Sequence, residues 1–263
     1  MKLLLENWRK YLAEGEEKYF PWLKDLPGFI ENLTGEMRRG SDHGNPDFKR
    51  LGSGAFRSVW APTGDDEHVV KIAHAFPSWR PADKENRQMN KDDFETSKRY
   101  PLIFPKAYAH ADDFTWIVME RVTPVTTFEE MQKVLDKSFP AEQKAVQQMR
   151  QAKDINPADP FHVMKMIMSS FRDDRNVDEA LEPTLITRRH GRKTDKDSDL
   201  ARDIQDVLAP IAGPAYQELS KAMHEFHIDK YELGRGNIGY DSEGDFKIVD
   251  SSVFNPDWGE DDK

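Results

Sequence analysis

Three oxygen-bearing side chains late in the sequence, Glu232, Asn237 and Asp250, fall on loop or strand-end positions of one hairpin-like stretch. Carboxylate and amide oxygens are hard ligands of the kind magnesium takes, and nucleotide phosphates would complete such a shell. A turn or cap role explains any one of the three, and explains all three together poorly. Far upstream, Val69-Val70-Lys71-Ile72-Ala73 sets a lysine inside an apolar run. An ammonium there is costly to bury without an anionic partner, although on an edge strand its stem reaches solvent. Before it, Leu51-Gly52-Ser53-Gly54-Ala55-Phe56-Arg57-Ser58-Val59-Trp60 places two glycines at i and i+2 between strand-like flanks. Such a turn passes close over phosphates and offers them backbone N–H groups, but Gly-x-Gly is also an ordinary turn. A fourth run, Trp116-Ile117-Val118-Met119-Glu120-Arg121-Val122, reads as a buried strand ending in a connector.

The elements that must position these residues follow from periodicity. Strand-like runs at 48–51, 58–61, 68–73, 106–110 and 115–120 surround a helical stretch at 84–99. This order predicts a small antiparallel sheet carrying one helix. Helical patterns at 128–137, 141–153, 158–172, 201–209 and 215–226 dominate the rest, and strands return at 237–240 and 246–249 around a Ser242-Glu243-Gly244 turn. Phe161, Met164, Met168 and Phe171 recur at helical spacing and read as core. The polar stretch 173–199, with Arg188, Arg189, Arg192 and Lys193 around His190, reads as a solvated loop rather than a phosphate or nucleic-acid patch. The pattern of residues 3–13 predicts an amphipathic helix with Leu5, Trp8 and Leu12 on one face. The glycines and prolines of 15–47 mark a linker or preface with short helical pieces.

Taken in order, the glycine-rich turn, strand lysine, helix carboxylate, hinge, catalytic loop and metal aspartate resemble the protein-kinase signature. The resemblance covers about residues 48–125 and 203–252, and from Met223 to Asp250 it runs without a gap. It implies an α+β, two-lobed kinase-like fold. The N-lobe, 48–122, would be a small antiparallel sheet plus one helix. The mainly helical, truncated C-lobe, 123–263, would carry a divergent insertion at 126–200. It further implies ATP and Mg2+ as ligands. Gly52, Ser53, Gly54, Val59, Lys71, Met119, Glu120 and Val122 would contact the nucleotide, with Met119 at the gatekeeper position. Asn237 and Asp250 would hold the metal. Glu232 takes the catalytic-aspartate position, with Asp229 as a rival base. Glu95 is the implied partner of Lys71, because it precedes Phe104-Pro105 at the family's usual distance, and Asp93 is the fallback.

The sequence also departs from that pattern. Arg57 stands at the third glycine, where a guanidinium reaches a phosphate or blocks close approach. Lys230-Tyr231 replaces His-Arg, Glu232 reaches one methylene beyond aspartate, and Asp250-Ser251-Ser252 replaces Asp-Phe-Gly. Only thirteen residues follow Asp250, where the family has an activation segment and further helices. Two expectations follow: a minimal serine/threonine protein-kinase-like phosphotransferase acting on a protein hydroxyl, or a pseudokinase that serves as a nucleotide-binding or protein-interaction module.

Composition bounds these expectations. The chain has 263 residues, 37% hydrophobic and 33% charged, which is enough to bury a core. Its formal charge of -10 argues against a general nucleic-acid coat, whose affinity comes from phosphate neutralisation. Without cysteine it has neither disulfides nor thiolate metal sites. No apolar run approaches a membrane span, so the expected location is cytoplasmic. The segment Met1–Glu14, ending Leu12-Ala13-Glu14, resembles the capsid-targeting peptides of large tailed bacteriophages. That likeness implies cleavage after Glu14, a place inside the virion, and a host protein as substrate or partner. The alternative is a helix docked on the body.

Overall fold

The computed structural model of the chain describes residues 20–33, 46–53, 56–74, 82–170, 203–204, 206–225 and 237–249. These form an α+β architecture whose described residues fall in two compact units. The first takes residues up to Lys98 together with Lys106–Arg121, and the second takes Arg99–Pro105 and the chain from Val122.

The first unit is built on a five-stranded antiparallel sheet of β1 (Phe48–Ser53), β2 (Arg57–Pro62), β3 (His68–Ala73), β4 (Ala107–His110) and β5 (Trp116–Glu120). Its spatial order is β1-β2-β3-β5-β4. The strands are rich in β-branched and aromatic residues and alternate faces at period two, so each sends two different rows of side chains outward. Phe48, Trp60, Val70, Ile72, Trp116 and Val118 share one apolar cluster. Val69, Ile117 and Met119, with Val59, Phe94 and Ala107 packed on them, form another.

The first of these faces is covered by residues that the sequence assigns to a preface. A 3-10 turn (Pro21–Asp25) runs into α1 (Leu26–Asn32), each opened by a proline at its N-terminus. Phe20, Leu23, Leu26, Phe29 and Leu33 join the sheet cluster, and the Phe29 ring stacks on Phe48 at 4.4 Å. The short helical pieces are present, but as one wall of the core rather than as a linker. Trp22 Nε1 donates to Asp65 Oδ2 at 2.8 Å, fixing the segment to the β2–β3 turn. Burial opposes ionisation of Asp65, yet the bonds from Trp22 and His68 prevail and hold its carboxyl below the usual range.

Against the second face lies α2 (Ala82–Arg99), rich in unbranched helix formers. Its buried row is unusually polar: Asn86, Asn90, Asp93 and Ser97 are all buried, beside Met89. That spacing is one helix face. The boundary of the units cuts α2 in its last turn because the chain after it belongs elsewhere. Tyr100, Ile103 and Phe104 lie in the core of the second unit, where Ile248 N donates to the Ile103 carbonyl at 2.7 Å and Tyr100 hydrogen-bonds Glu225.

The second unit holds α3 (Phe128–Ser138), α4 (Pro140–Ala152), α5 (Pro160–Ser169) and α6 (Pro214–Glu225), with a small sheet of β6 (Thr123–Pro124), β7 (Ile238–Tyr240) and β8 (Phe246–Ile248) in the order β6-β7-β8. Leu135, Val146, Ile167, Leu219 and Ile248 share one core. The described part of the 126–200 stretch contributes Met131, Leu135, Val146 and Ile167 to this core. Met164 and Met168 are buried in it, as their spacing predicts. Strand β6 has no signature in the sequence. It exists because Gly239 lets it approach: an added Cβ there would strike Val122 Cγ1 and come within 2.7 Å of the Thr123 carbonyl. No described helix is long and apolar enough to cross a membrane.

Candidate functional site

The strand lysine is the best-defined group of the site. Lys71 lies mid-strand in β3, opposite Val59 on β2 and Ile117 on β5. Alternation turns it to the α2 side of the sheet, where its side chain is 7% exposed. Its ammonium sits 2.6 Å from Asp93 Oδ2, whose side chain is 2% exposed. A cation so deeply buried requires such a partner.

This corrects the expected partner. Glu95 does not reach Lys71. It is 62% exposed and faces Lys91 at 3.7 Å on the outer surface of α2. Two residues along a helix turn a side chain by roughly 200°. A carboxylate at 93, in phase with Asn86 and Asn90, must therefore face the sheet when the one at 95 faces water. The alternative, Asp93, is the residue in place. The phase of the buried polar row was the signal that distance to Phe104-Pro105 did not carry.

A second cation meets the same carboxylate. Arg57 Nη1 lies 2.7 Å from Asp93 Oδ2 and donates to the Met89 carbonyl at 3.2 Å. The guanidinium is turned inward under β2, bound to α2, rather than outward over the glycine turn. Nearby, Asn86 Nδ2 donates to the His74 carbonyl at 2.8 Å and Asn90 Nδ2 to the Phe114 carbonyl at 2.9 Å. The carboxyl of Asp92 is held above its ordinary range, first by burial and then by the charges of Asp93 and Glu95, against a hydrogen bond from Gln88 and the charge of Arg57.

The glycine turn joins β1 to β2. Gly52 faces Val59 across the ladder, after a register shift between Arg50 and Gly52. A Cβ at Gly52 would meet nothing within 4 Å, so packing does not demand glycine there. Ser53 Oγ lies 3.4 Å from His74 Nε2. Val59 and Met119 pack in the cluster on the α2 side, the same side as Lys71, so β2, β3 and β5 bring these three together. At the end of β5, Glu120 N donates to the Lys106 carbonyl at 2.8 Å, and its carboxylate accepts from Lys106 N at 3.1 Å.

In the second unit, Val122 borders Gly239 of β7. Asn237 opens the β7–β8 hairpin, and its carbonyl accepts Val249 N at 2.9 Å. That bond ties Asn237 to the residue directly preceding Asp250. Gly54, Asp229, Glu232 and Asp250 themselves lie outside the described residues, as do the Met1–Glu14 segment and the arginine-rich 173–199 stretch. Neither a protein-family model nor a curated protein sequence matches the chain.

Proposed function

We propose that this chain is a kinase-like protein that binds ATP with Mg2+ and transfers a phosphoryl group to a protein hydroxyl. One observation carries the reading. A lysine in the third strand of an antiparallel sheet, whose first two strands are joined through the glycine-rich segment, is buried against a carboxylate of the helix between the third and fourth strands. Burial alone calls for an anion beside the lysine; a carboxylate presented from the packed helix also fixes the rotamer of the lysine and holds its ammonium in one place, as a phosphate-binding lysine requires.

In this reading Lys71 meets the phosphates and Asp93 orients it. Val59 and Met119 supply apolar surface to the adenine, whose edge meets the Glu120 carbonyl, since the Glu120 N–H is engaged by Lys106. Asn237 and Asp250 carry hard oxygen donors of the kind magnesium takes, and Asn237 is hydrogen-bonded to Val249, the residue before Asp250 in the chain. When bound, the metal neutralises charge on the transferring phosphate. Glu232 accepts the proton of the attacking hydroxyl, a contribution of roughly 10²–10⁴-fold for a well-placed base.

The departures at Lys230-Tyr231, Glu232 and Ser251-Ser252 favour a second reading, a pseudokinase that retains the nucleotide without transfer. The Met1–Glu14 likeness extends either version to a protein packaged in a phage head and delivered to a host. Mass spectrometry of virions, finding the packaged protein to begin at Gly15, would support that extension; an intact Met1 would exclude it.

A thermal-shift titration with ATP and Mg2+ tests the binding that both versions share, with Lys71→Ala and Asp250→Ala as controls. A shift in the wild type that both substitutions abolish is the expected result, and no shift in the wild type ends the proposal. Labelled phosphate transfer that disappears in Glu232→Ala separates the enzyme from the pseudoenzyme.

A further inference from the structure

Arg57 is a buried charged group beside Lys71 that the proposed mechanism does not use. It opens β2 directly after the glycine turn, paired with Ala73 at the end of β3. Its side chain is 6% exposed, and it shares one oxygen, Asp93 Oδ2, with Lys71, at 2.7 Å against 2.6 Å. Its Nη1 also faces Asn90 Oδ1 at 3.4 Å. The neighbouring backbone is tied in as well. The Phe56 carbonyl accepts His74 N at 2.8 Å, and the His74 carbonyl accepts from Asn86. The start of β2, the end of β3 and the lysine are thus all held by one face of α2.

We infer that Arg57 is a positioning residue for the phosphates. It ties the start of β2 and the Lys71 ammonium to a single carboxylate, so that the paired ends of β1 and β2, which carry Gly52 and Ser53, and the lysine keep one register for the phosphates. The inference rests on the nucleotide reading above. A lysine–carboxylate pair by itself fixes only the lysine; the β2–β3 ladder registers the backbone, and Arg57 adds a side-chain tie from the start of β2 to the same carboxylate. An arginine suits the added task because its planar guanidinium can hold the Asp93 carboxylate and the Met89 carbonyl at once, which a lysine ammonium on a flexible stem does less rigidly. Loss of registration between two phosphate-binding parts weakens phosphate contacts and leaves contacts to the base unchanged.

Calorimetric titration of the full chain with ATP·Mg2+ and, separately, with adenosine tests this. In Arg57→Met, affinity for ATP·Mg2+ is expected to fall about tenfold relative to wild type, equivalent to about 1.4 kcal/mol. Adenosine affinity is expected to stay within about twofold, and Arg57→Lys to lie between wild type and Arg57→Met. Equal losses for both ligands would mean a merely structural role and overturn the inference, as would unchanged ATP·Mg2+ affinity in Arg57→Met. Should that variant not fold, Arg57→Lys decides: wild-type affinity for ATP·Mg2+ overturns the inference. A wild type that binds neither ligand removes the nucleotide reading itself, a result distinct from one in which the wild type binds and the variants match it.

Discussion

At the scale of single residues, the sharpest consequence is the difference between two carboxylates on one helix. Asp93 is buried with Lys71 and Arg57 on one oxygen, whereas Glu95 is mostly exposed beside Lys91. Removing the charge of Asp93 strands buried cations, so Asp93→Asn is expected to cost roughly 3–5 kcal/mol in denaturant unfolding. Glu95→Gln should stay within about 0.5 kcal/mol, as exposed pairs do. Equal effects would contradict the orientation of α2. Gly52 offers a complementary case. Its added Cβ meets open space, so Gly52→Ala should leave the melting temperature nearly unchanged while weakening ATP·Mg2+ binding. A large loss of stability would mean that the glycine serves the fold instead of a ligand. The sequence identifies Lys71 as a residue needing an anion but not which anion, because Asp93 and Glu95, two residues apart on a helix, point to opposite faces and only the phase of the helix on the sheet selects one. In the sequence Arg57 is only a departure from a pattern; its inward turn depends on α2 offering Asp93 and the Met89 carbonyl together.

At the scale of elements, helices and strands were legible within a few residues because their periodicity is local. Strand β3 spans the predicted 68–73, and α2 starts two residues before the predicted 84. The 20–33 segment was legible as short helical pieces but not as a core wall, since prolines and glycines signal irregular chain whether or not it is buried. Leu26 is fully buried in that wall, so Leu26→Ala should cost about 2–5 kcal/mol. A linker would lose almost nothing. At the start of α3, Thr127 and Glu130 form a reciprocal capping box, and the Glu130 carboxylate also accepts from Thr126. These bonds, from the Thr126 and Thr127 backbone first, lower the Glu130 carboxyl from 4.5 to about 2. A depressed folded value means that the cap stabilises above the ordinary value and fades as pH falls from there toward 2. The stability difference between wild type and Glu130→Gln should therefore shrink across that acid window. A difference independent of pH would show that ionisation of Glu130 is not what the cap uses.

At the scale of the whole molecule, a ligand that binds only the folded chain stabilises it by mass action. ATP·Mg2+ at a hundredfold over its Kd should add about 2.7 kcal/mol, read as a rise in melting temperature that tracks the logarithm of concentration. A shift that saturates at sub-stoichiometric ligand would point to another cause. The α+β class, the succession of five strands around one helix followed by a helical region, and the candidates for phosphate and metal chemistry can all be read from the chain's own residues. They can because alternation, helical period, turn glycines and charge in apolar runs are properties of neighbouring residues. Long-range packing sets the rest: Asp93 rather than Glu95 holds Lys71, Arg57 shares that carboxylate, residues 20–33 wall the sheet, and 99–105 leaves the first unit for the core of the second. Those outcomes depend on the rotational phase of a helix against a sheet and on which apolar surfaces find each other across long stretches of chain. Such choices minimise buried charge and exposed apolar area over the whole fold, and no local window of sequence contains them.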